Sequence, residues 1–386
     1  MTQKTKFDDV QVETLRRIGG MKWSTYPDKL GAFVAEMDFG IAPPIVRALH
    51  AAVDTGAFGY LTPAVAARMS DAYAGWAEAT YGWQVAPQDV RPVADVLKGL
   101  EVAIESFSRP GSAVILPVPA YMPFLTVPLA MGREIIRVPM AESGGRTRYD
   151  LDALDAAFRA GGNLLILCNP HNPLGRVLDL GELTAIAEVV ERHGGRVFSD
   201  EIHAPLVFPG KTHVPYASVS DVTAGHTLTA TSASKAWNLP GMKCAQVVLS
   251  NDGDRARWAQ IAMMAEHGAA NLGVIANAAA YSGGGQWLDE VLQYLDGNRL
   301  ALADLVAEHL PGVRYTPPEG TYLAWLDCRE LGLGDSPSDF FLDHADVAMT
   351  DGAMCASPGW VRYNFATPRP VMTQSLEQMG AAVARR

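Results

Sequence analysis

The chain has 386 residues, a formal net charge of −11 and 48% hydrophobic residues. That length exceeds what one compact core serves, so two domains are predicted. An acidic balance with no basic block argues against a nucleic-acid partner, and no apolar run reaches membrane-spanning length.

The first 40 residues read as an N-terminal arm, polar to about residue 30 and closing on LGAFVAEMDFG, Leu30–Gly40. Its start, MTQKTKFDDV, lacks the apolar centre of a signal peptide, so a soluble cytoplasmic protein is expected. Pro43 and Pro44 open a helix over Ile45–Val53, because proline suits a first turn. Gly56–Pro63, GAFGYLTP, is a glycine-rich loop carrying Tyr60. Ala64–Tyr81 follows with helical spacing, Tyr73 and Trp76 on one face. Asp95–Phe107 reads as a turn entering a helix, whose first amides can bind phosphate. Ala113–Phe124 is a buried strand and a proline-rich turn bearing Tyr121.

A helix capped by Asp150, the apolar strand Leu164–Cys168, a helix over Gly181–His193 and the strand Arg196–Phe198 continue a βαβ alternation. That alternation runs on through the β-prone Thr227–Thr231. Cys244–Leu249 is another strand, and Asp254–Ala280 is helical with a break near Gly268. SGGGQ, Ser282–Gln286, is the best domain boundary in the chain. It divides a large domain over 41–285 from a small one over 286–386. Helix Trp287–Leu310, strands Thr321–Cys328 and Val361–Thr367, and helix Met372–Val383 fill the small domain. The four cysteines, Cys168, Cys244, Cys328 and Cys355, show neither metal-ligand spacing nor a disulfide framework. No metal is expected.

Three motifs end consecutive buried strands: NPHNPLGR (Asn169–Arg176), SDEIH (Ser199–His203) and SASKAWN (Ser232–Asn238). In open α/β sheets that edge is where ligands bind. Lys235 sits among small residues that let a cofactor approach, and a lysine amine can form a Schiff base with a carbonyl. Asp200 and Asn172 stand at the neighbouring strand ends. Each has a plain structural alternative: a solvated lysine, a capping aspartate, an Asx turn beside Pro173.

Taken in this order, the motifs resemble the pyridoxal-phosphate enzymes of the aminotransferase class I/II superfamily. More narrowly, they resemble the cystathionine β-lyase (C–S lyase) branch of the MalY/PatB type. The resemblance implies a type I pyridoxal-phosphate transferase fold, with a large α/β domain of mostly parallel sheet and a smaller C-terminal α/β domain. The N-terminal arm packs with the small domain.

The resemblance also implies roles. Lys235 carries pyridoxal 5′-phosphate and serves as catalytic base. Asp200 pairs with the ring nitrogen, because a nearby carboxylate keeps that nitrogen protonated. Asn172 touches the ring hydroxyl, His203 either touches the cofactor there or stands behind the residues that do, and Tyr121 stacks on the ring beside the substrate; a lone histidine at a strand end is otherwise structural. Backbone amides of Val96 and Leu97, with Ser232 and Lys243, hold the phosphate, Ser234 being a weaker candidate than Ser232. Tyr60 reaches the phosphate of the partner in a homodimer. Arg362 grips the substrate carboxylate through a two-pronged bond, whereas a strand arginine is otherwise a surface ion-pair partner. Tyr322 packs near the site.

Three positions depart from the family pattern. Glu36 replaces an aspartate, Asp95 replaces a small residue, and Lys243 replaces an arginine. A carboxylate facing phosphate is repulsive, so Asp95 is expected to point away. The implied reaction is β-elimination from cystathionine or another L-cysteine S-conjugate, giving a thiol, pyruvate and ammonia. An aminotransferase of an L-amino acid is the alternative on the same residues. A regulator that keeps the fold without catalysis is a third, weakened by the intact lysine, aspartate and arginine.

Overall fold

The computed structural model describes residues 6–143 and 146–386. The chain forms two compact units. One takes Ile41–Pro170 and Val177–Leu288; the other takes the chain up to Gly40, His171–Arg176 and Asp289–Arg386.

The first of these is built on a seven-stranded sheet. Its strands are β1 (Val90–Val93), β2 (Ala113–Val118), β3 (Ile135–Pro139), β4 (Gly162–Cys168), β5 (Arg196–Asp200), β6 (Thr227–Thr231) and β7 (Ala245–Leu249). The order is β1-β7-β6-β5-β4-β2-β3. β6, β5, β4, β2 and β3 pair in parallel, and β7 runs against both its neighbours.

Alternation along each strand explains why the sheet is covered on both faces. Leu164, Ile166, Val114, Leu116 and Phe198 enter one core with the helix Val96–Ser106. Leu165, Leu167, Ile115 and Val197 enter the other, with the helices Leu151–Arg159 and Leu180–Arg192. The register sets Cys168 beside Asp200 and Asp200 beside Ala230. The chain therefore leaves β4, β5 and β6 at one level, and polar residues follow at each exit.

Asn271–Gly283 and Gly285–His309 are helices that abut at Gly284. A Cβ on Gly284 would lie 2.3 Å from Trp237 Nε1, which donates to the Gly284 carbonyl at 3.0 Å. The glycine answers a close approach, and the division between units falls at Leu288/Asp289.

The other unit carries a four-stranded antiparallel sheet, β8 (Arg314–Tyr315), β9 (Leu323–Asp327), β10 (Thr350–Asp351) and β11 (Trp360–Asn364), in the order β8-β9-β11-β10. Leu30–Gly31 pairs in parallel with Val347–Ala348. His171–Arg176, which the sequence places with the large domain, belongs here. Glu319 N and Gly320 N both donate to the Gly175 carbonyl, at 2.7 and 2.9 Å, and those bonds tie the loop to this unit.

Candidate active site

Lys235 lies on a single helical turn, Ala233–Ala236, directly after β6. Ser232 caps that turn: its Oγ accepts from Ser234 N at 3.0 Å and donates to the Cys244 carbonyl at 2.7 Å. A buried polar network fixes the turn from below. Asn277 Oδ1 accepts from Ala233 N at 3.1 Å and from Gln246 Nε2 at 3.2 Å. Tyr281 donates its hydroxyl to Gln246 Oε1 at 2.8 Å. Trp237 is fully buried against the edges of Trp76 and Tyr281. None of Asn277, Gln246 and Tyr281 carries a motif, and the signal lies only in the contacts.

Asp200, at the end of β5, is 4% exposed. Its Oδ1 accepts from Ile202 N at 3.0 Å. Its other oxygen takes no hydrogen bond among the described residues. Burial pushes the carboxyl up to about 7; the Ile202 amide opposes this, the Glu201 charge adds to it, and the Lys235 charge opposes it. A buried carboxylate with one oxygen unengaged lacks positive charge, which suits a cation brought by a ligand.

The helix Val96–Ser106 begins at the same sheet, following β1. Its first-turn amides at Val96 and Leu97 stand outside the intrahelical ladder. Asp95 does not point away from this end. It is the N-cap, its Oδ1 accepting from Lys98 N at 2.8 Å while Oδ2 meets Lys243 Nζ at 2.8 Å. The helix end favours negative charge, and Asp95 already supplies one. Lys243 neutralises that charge, an arrangement in which the two departures from the family pattern answer each other.

Tyr121 follows β2 and sets its ring edge-on to Phe124, at 5.3 Å between centroids. His203 is buried in the turn after β5, where its carbonyl accepts from Leu206 N. Tyr60 lies in the loop before the helix Pro63–Tyr81 and is 90% exposed. Asn271 holds that loop by donating to the Ala57 carbonyl at 2.9 Å.

In the other unit, Arg362 on β11 is 3% exposed, not a surface arginine. Its Nη1 donates to Asn172 Oδ1 at 3.0 Å, and its Nη2 to the Phe33 carbonyl at 3.1 Å and Thr350 Oγ1 at 3.2 Å. An arginine has no acceptor, so this bond fixes which end of the Asn172 amide is oxygen. Tyr322 is fully buried and donates to the Ala35 carbonyl at 3.0 Å. Asn364 Nδ2 donates to the Val34 and Glu36 carbonyls, each at 2.7 Å. Three side chains of the β9–β11 region thus pin residues 33–36 of the arm.

The arm also holds an ion pair that sequence reasoning missed. Lys22 Nζ lies 2.8 Å from Asp38 Oδ2, and both side chains are buried. Trp23 Nε1 donates to the second Asp38 oxygen at 2.8 Å. His171 is buried beside Arg176, and burial, then the Arg176 charge, push its imidazole down to about 3.

A lysine on a short turn after one parallel strand, with a buried aspartate ending the next, defines a type I pyridoxal-phosphate enzyme. The chain belongs to the aminotransferase class I and II family, whose model matches residues 33–378. It is 38% identical over 378 residues to the cystathionine beta-lyase of Corynebacterium glutamicum, covering 97% of this chain and 99% of that one. It is 33% identical to the cystathionine beta-lyase PatB of Bacillus subtilis, covering 92% and 93%. Among solved structures it is similar to cystalysin from Treponema denticola, which contains pyridoxal 5′-phosphate. There the TM-score is 0.89 with 28% identity, over 95% of this chain and 96% of that one.

Proposed function

We propose that this protein is a pyridoxal-phosphate-dependent carbon–sulfur β-lyase that cleaves cystathionine or other L-cysteine S-conjugates to a thiol, pyruvate and ammonia. The observation that carries the reading is the buried Asp200 beside β6 and Lys235, a carboxylate in want of a cation next to an amine. Near-full-length identity to proteins named cystathionine beta-lyase supports the reaction type.

Bound pyridoxal phosphate supplies an electron sink for charge released at the substrate Cα. The chain's residues do the rest. Asp200 holds the proton on the ring nitrogen. Asn172 donates its Nδ2 hydrogens to the ring hydroxyl, the Oδ1 being taken by Arg362; His203 stands by the same hydroxyl. Tyr121 covers the ring face and borders the substrate. The Val96 and Leu97 amides, with Ser232 and Lys243, would hold the phosphate; the Ser232 hydroxyl donates to the Cys244 carbonyl and Lys243 meets Asp95. Arg362 binds and orients the substrate carboxylate. Lys235 removes the Cα proton as a neutral amine. The β-carbon–sulfur bond then breaks, the thiolate leaves, and water completes the release of pyruvate and ammonia.

The active species in this reading is a homodimer. Tyr60 and Phe58 are exposed. Beside them lies a cavity of about 660 Å³ whose lining includes Tyr60, Pro63, Arg91 and Met263. An exposed aromatic loop over such a cavity suits a second copy. Among the described residues no helix is long and apolar enough to cross a membrane, in keeping with a cytoplasmic setting. The experiment is direct: purified protein with cystathionine should release a thiol that a disulfide dye detects, and Lys235→Ala should release none. Absence of thiol from the unaltered protein overturns the reading.

A further inference from the structure

β5 ends with Ser199 and Asp200, and Glu201 follows. Successive side chains of a strand point to opposite faces, so Ser199 and Glu201 share the face away from Asp200. The structure bears this out: Ser199 Oγ donates to Glu201 Oε1 at 2.8 Å. Glu201 is buried, yet its carboxylate is fully engaged. Tyr216 N donates to Oε1 at 3.0 Å, and His213 Nε2 lies 3.0 Å from Oε2. His213 is buried too, under the edge of the Tyr81 ring at 5.2 Å.

The backbone on either side of Asp200 is held as well. Asn169 N donates to the Asp200 carbonyl at 3.0 Å, and Glu201 N to the carbonyl of Ala230 at 2.8 Å. Thr231 Oγ1 donates to the Glu201 carbonyl at 3.1 Å. By contrast the Asp200 carboxylate itself takes a single hydrogen bond among the described residues, from Ile202 N. Its direction follows from the peptide it hangs from, which is held by main-chain bonds to Asn169 and Ala230 and, on the far side of the strand, by the bonds of the Glu201 carboxylate.

We propose that Glu201, anchored by His213, Ser199 and the Tyr216 amide, is a positioning residue that aims the Asp200 carboxylate at the ring nitrogen of the cofactor. Glu201 touches neither cofactor nor substrate. It ties the end of β5 to residues 213–216, so that Asp200 keeps one direction while carrying few bonds of its own. A buried carboxylate–imidazole pair contributes little net stability, and fixing one geometry is its best-attested use. The inference rests on the proposed role of Asp200, and its test separates the two.

The test compares binding of pyridoxal phosphate with binding of its analogue bearing C–H in place of the ring nitrogen. Both carry the aldehyde and the phosphate, so Lys235 and the phosphate contacts cancel in the ratio of affinities. The unaltered protein should prefer the natural cofactor, and Asp200→Ala should abolish that preference. Glu201→Ala should reduce it about tenfold or more, and His213→Ala should do so in part. Glu201→Gln, which can still accept from Ser199 and Tyr216, should retain most of it. If Glu201→Ala does not fold, His213→Ala decides by the same ratio. Equal loss of both ligands, or an unchanged ratio while Asp200→Ala removes it, overturns the Glu201 inference alone. A preference that survives Asp200→Ala overturns the Asp200 reading and this inference with it.

Discussion

Arg362 Nη1 donates to Asn172 Oδ1 at 3.0 Å, although 190 residues separate the two in sequence. The bond joins the strand that presents the guanidinium to the NPHNPLG loop within one compact unit. Arg362 is held in place at three points, Asn172, Phe33 and Thr350, before any substrate arrives. A carboxylate-binding arginine that is already oriented loses less freedom on binding.

Removing that orientation should weaken catalysis. Asn172→Ala removes the hydrogen bond to the guanidinium, about 1.5–3 kcal/mol, or roughly 10- to 150-fold in kcat/KM, and with it the proposed contact with the ring hydroxyl, so cofactor affinity should fall as well. Arg362→Ala should cost more, about 2–5 kcal/mol. Steady-state kinetics on an L-cysteine S-conjugate measures both, and the visible absorbance of the bound cofactor should persist in Arg362→Ala. An unchanged kcat/KM in Arg362→Ala would place the carboxylate elsewhere.

Asp200 should give the cofactor-free protein a specific pH signature. Its folded carboxyl sits at about 7 against an ordinary 3.8, with burial the main cause. The folded state therefore holds that proton more tightly than the unfolded chain does. The associated stability is fully present below about 3.8 and is lost as pH rises through about 7. Asp200→Asn removes the charge, so its apoprotein should be more stable than the unaltered apoprotein at pH 8. The gap should narrow steadily towards pH 5, by up to about 1.4 kcal/mol per unit. His171 titrates alike in both proteins and cancels. Thermal unfolding at the two pH values checks this; a constant gap would mean that Asp200 does not carry the burial cost.

The Lys22–Asp38 pair should matter for the arm. Both groups are buried, and Asp38 also serves Trp23. Asp38→Ala leaves a buried ammonium without its counter-charge, with only the Ala366 carbonyl at 3.4 Å, and a buried indole N–H without its acceptor, a loss of about 3–5 kcal/mol. Urea unfolding of the two proteins gives the difference directly. A cost under about 1 kcal/mol would show that the arm relaxes around the change.

The sheet was legible because its strands are apolar on both faces and end in polar motifs. Lys235, Asp200 and Asn172 stand out at those ends, since a polar residue after a buried run needs a reason. What surrounds them was not legible. Asn277 supports the Lys235 turn across 44 residues of sequence, and Gln246 holds Asn277 across 31, with no local pattern to mark either. Lys22 reads as one more lysine of a polar arm until Asp38 is found against it. Composition shows the three glycines after Ser282 but not the close approach of Trp237 that Gly284 answers. Asp95 looked like an obstacle to phosphate, and only the structure pairs it with Lys243.

Sharing of the site between two copies can be read by complementation. Neither Tyr60→Phe nor Lys235→Ala alone should support normal turnover. Mixed and reassociated, they form heterodimers in which one site is unaltered at both positions and the other carries both changes. Activity above that of either parent is the expected result. A mixture no more active than its parents would leave Tyr60 outside the partner's site, and a monomer by light scattering would remove the dimer altogether.

The central claim, elimination at the β-carbon, is tested most directly by turnover of cystathionine with no keto acid added. In the proposed reading, lyase and aminotransferase would share the Arg362 contact and proton removal by Lys235. They part afterwards: a lyase expels the thiolate, while an aminotransferase keeps the thioether and needs a second, keto-acid substrate. Thiol, pyruvate and ammonia should appear together, in about equal amounts, and adding a keto acid should not be required. Turnover that depends on the keto acid and leaves the thioether intact would contradict the account and make the protein an aminotransferase.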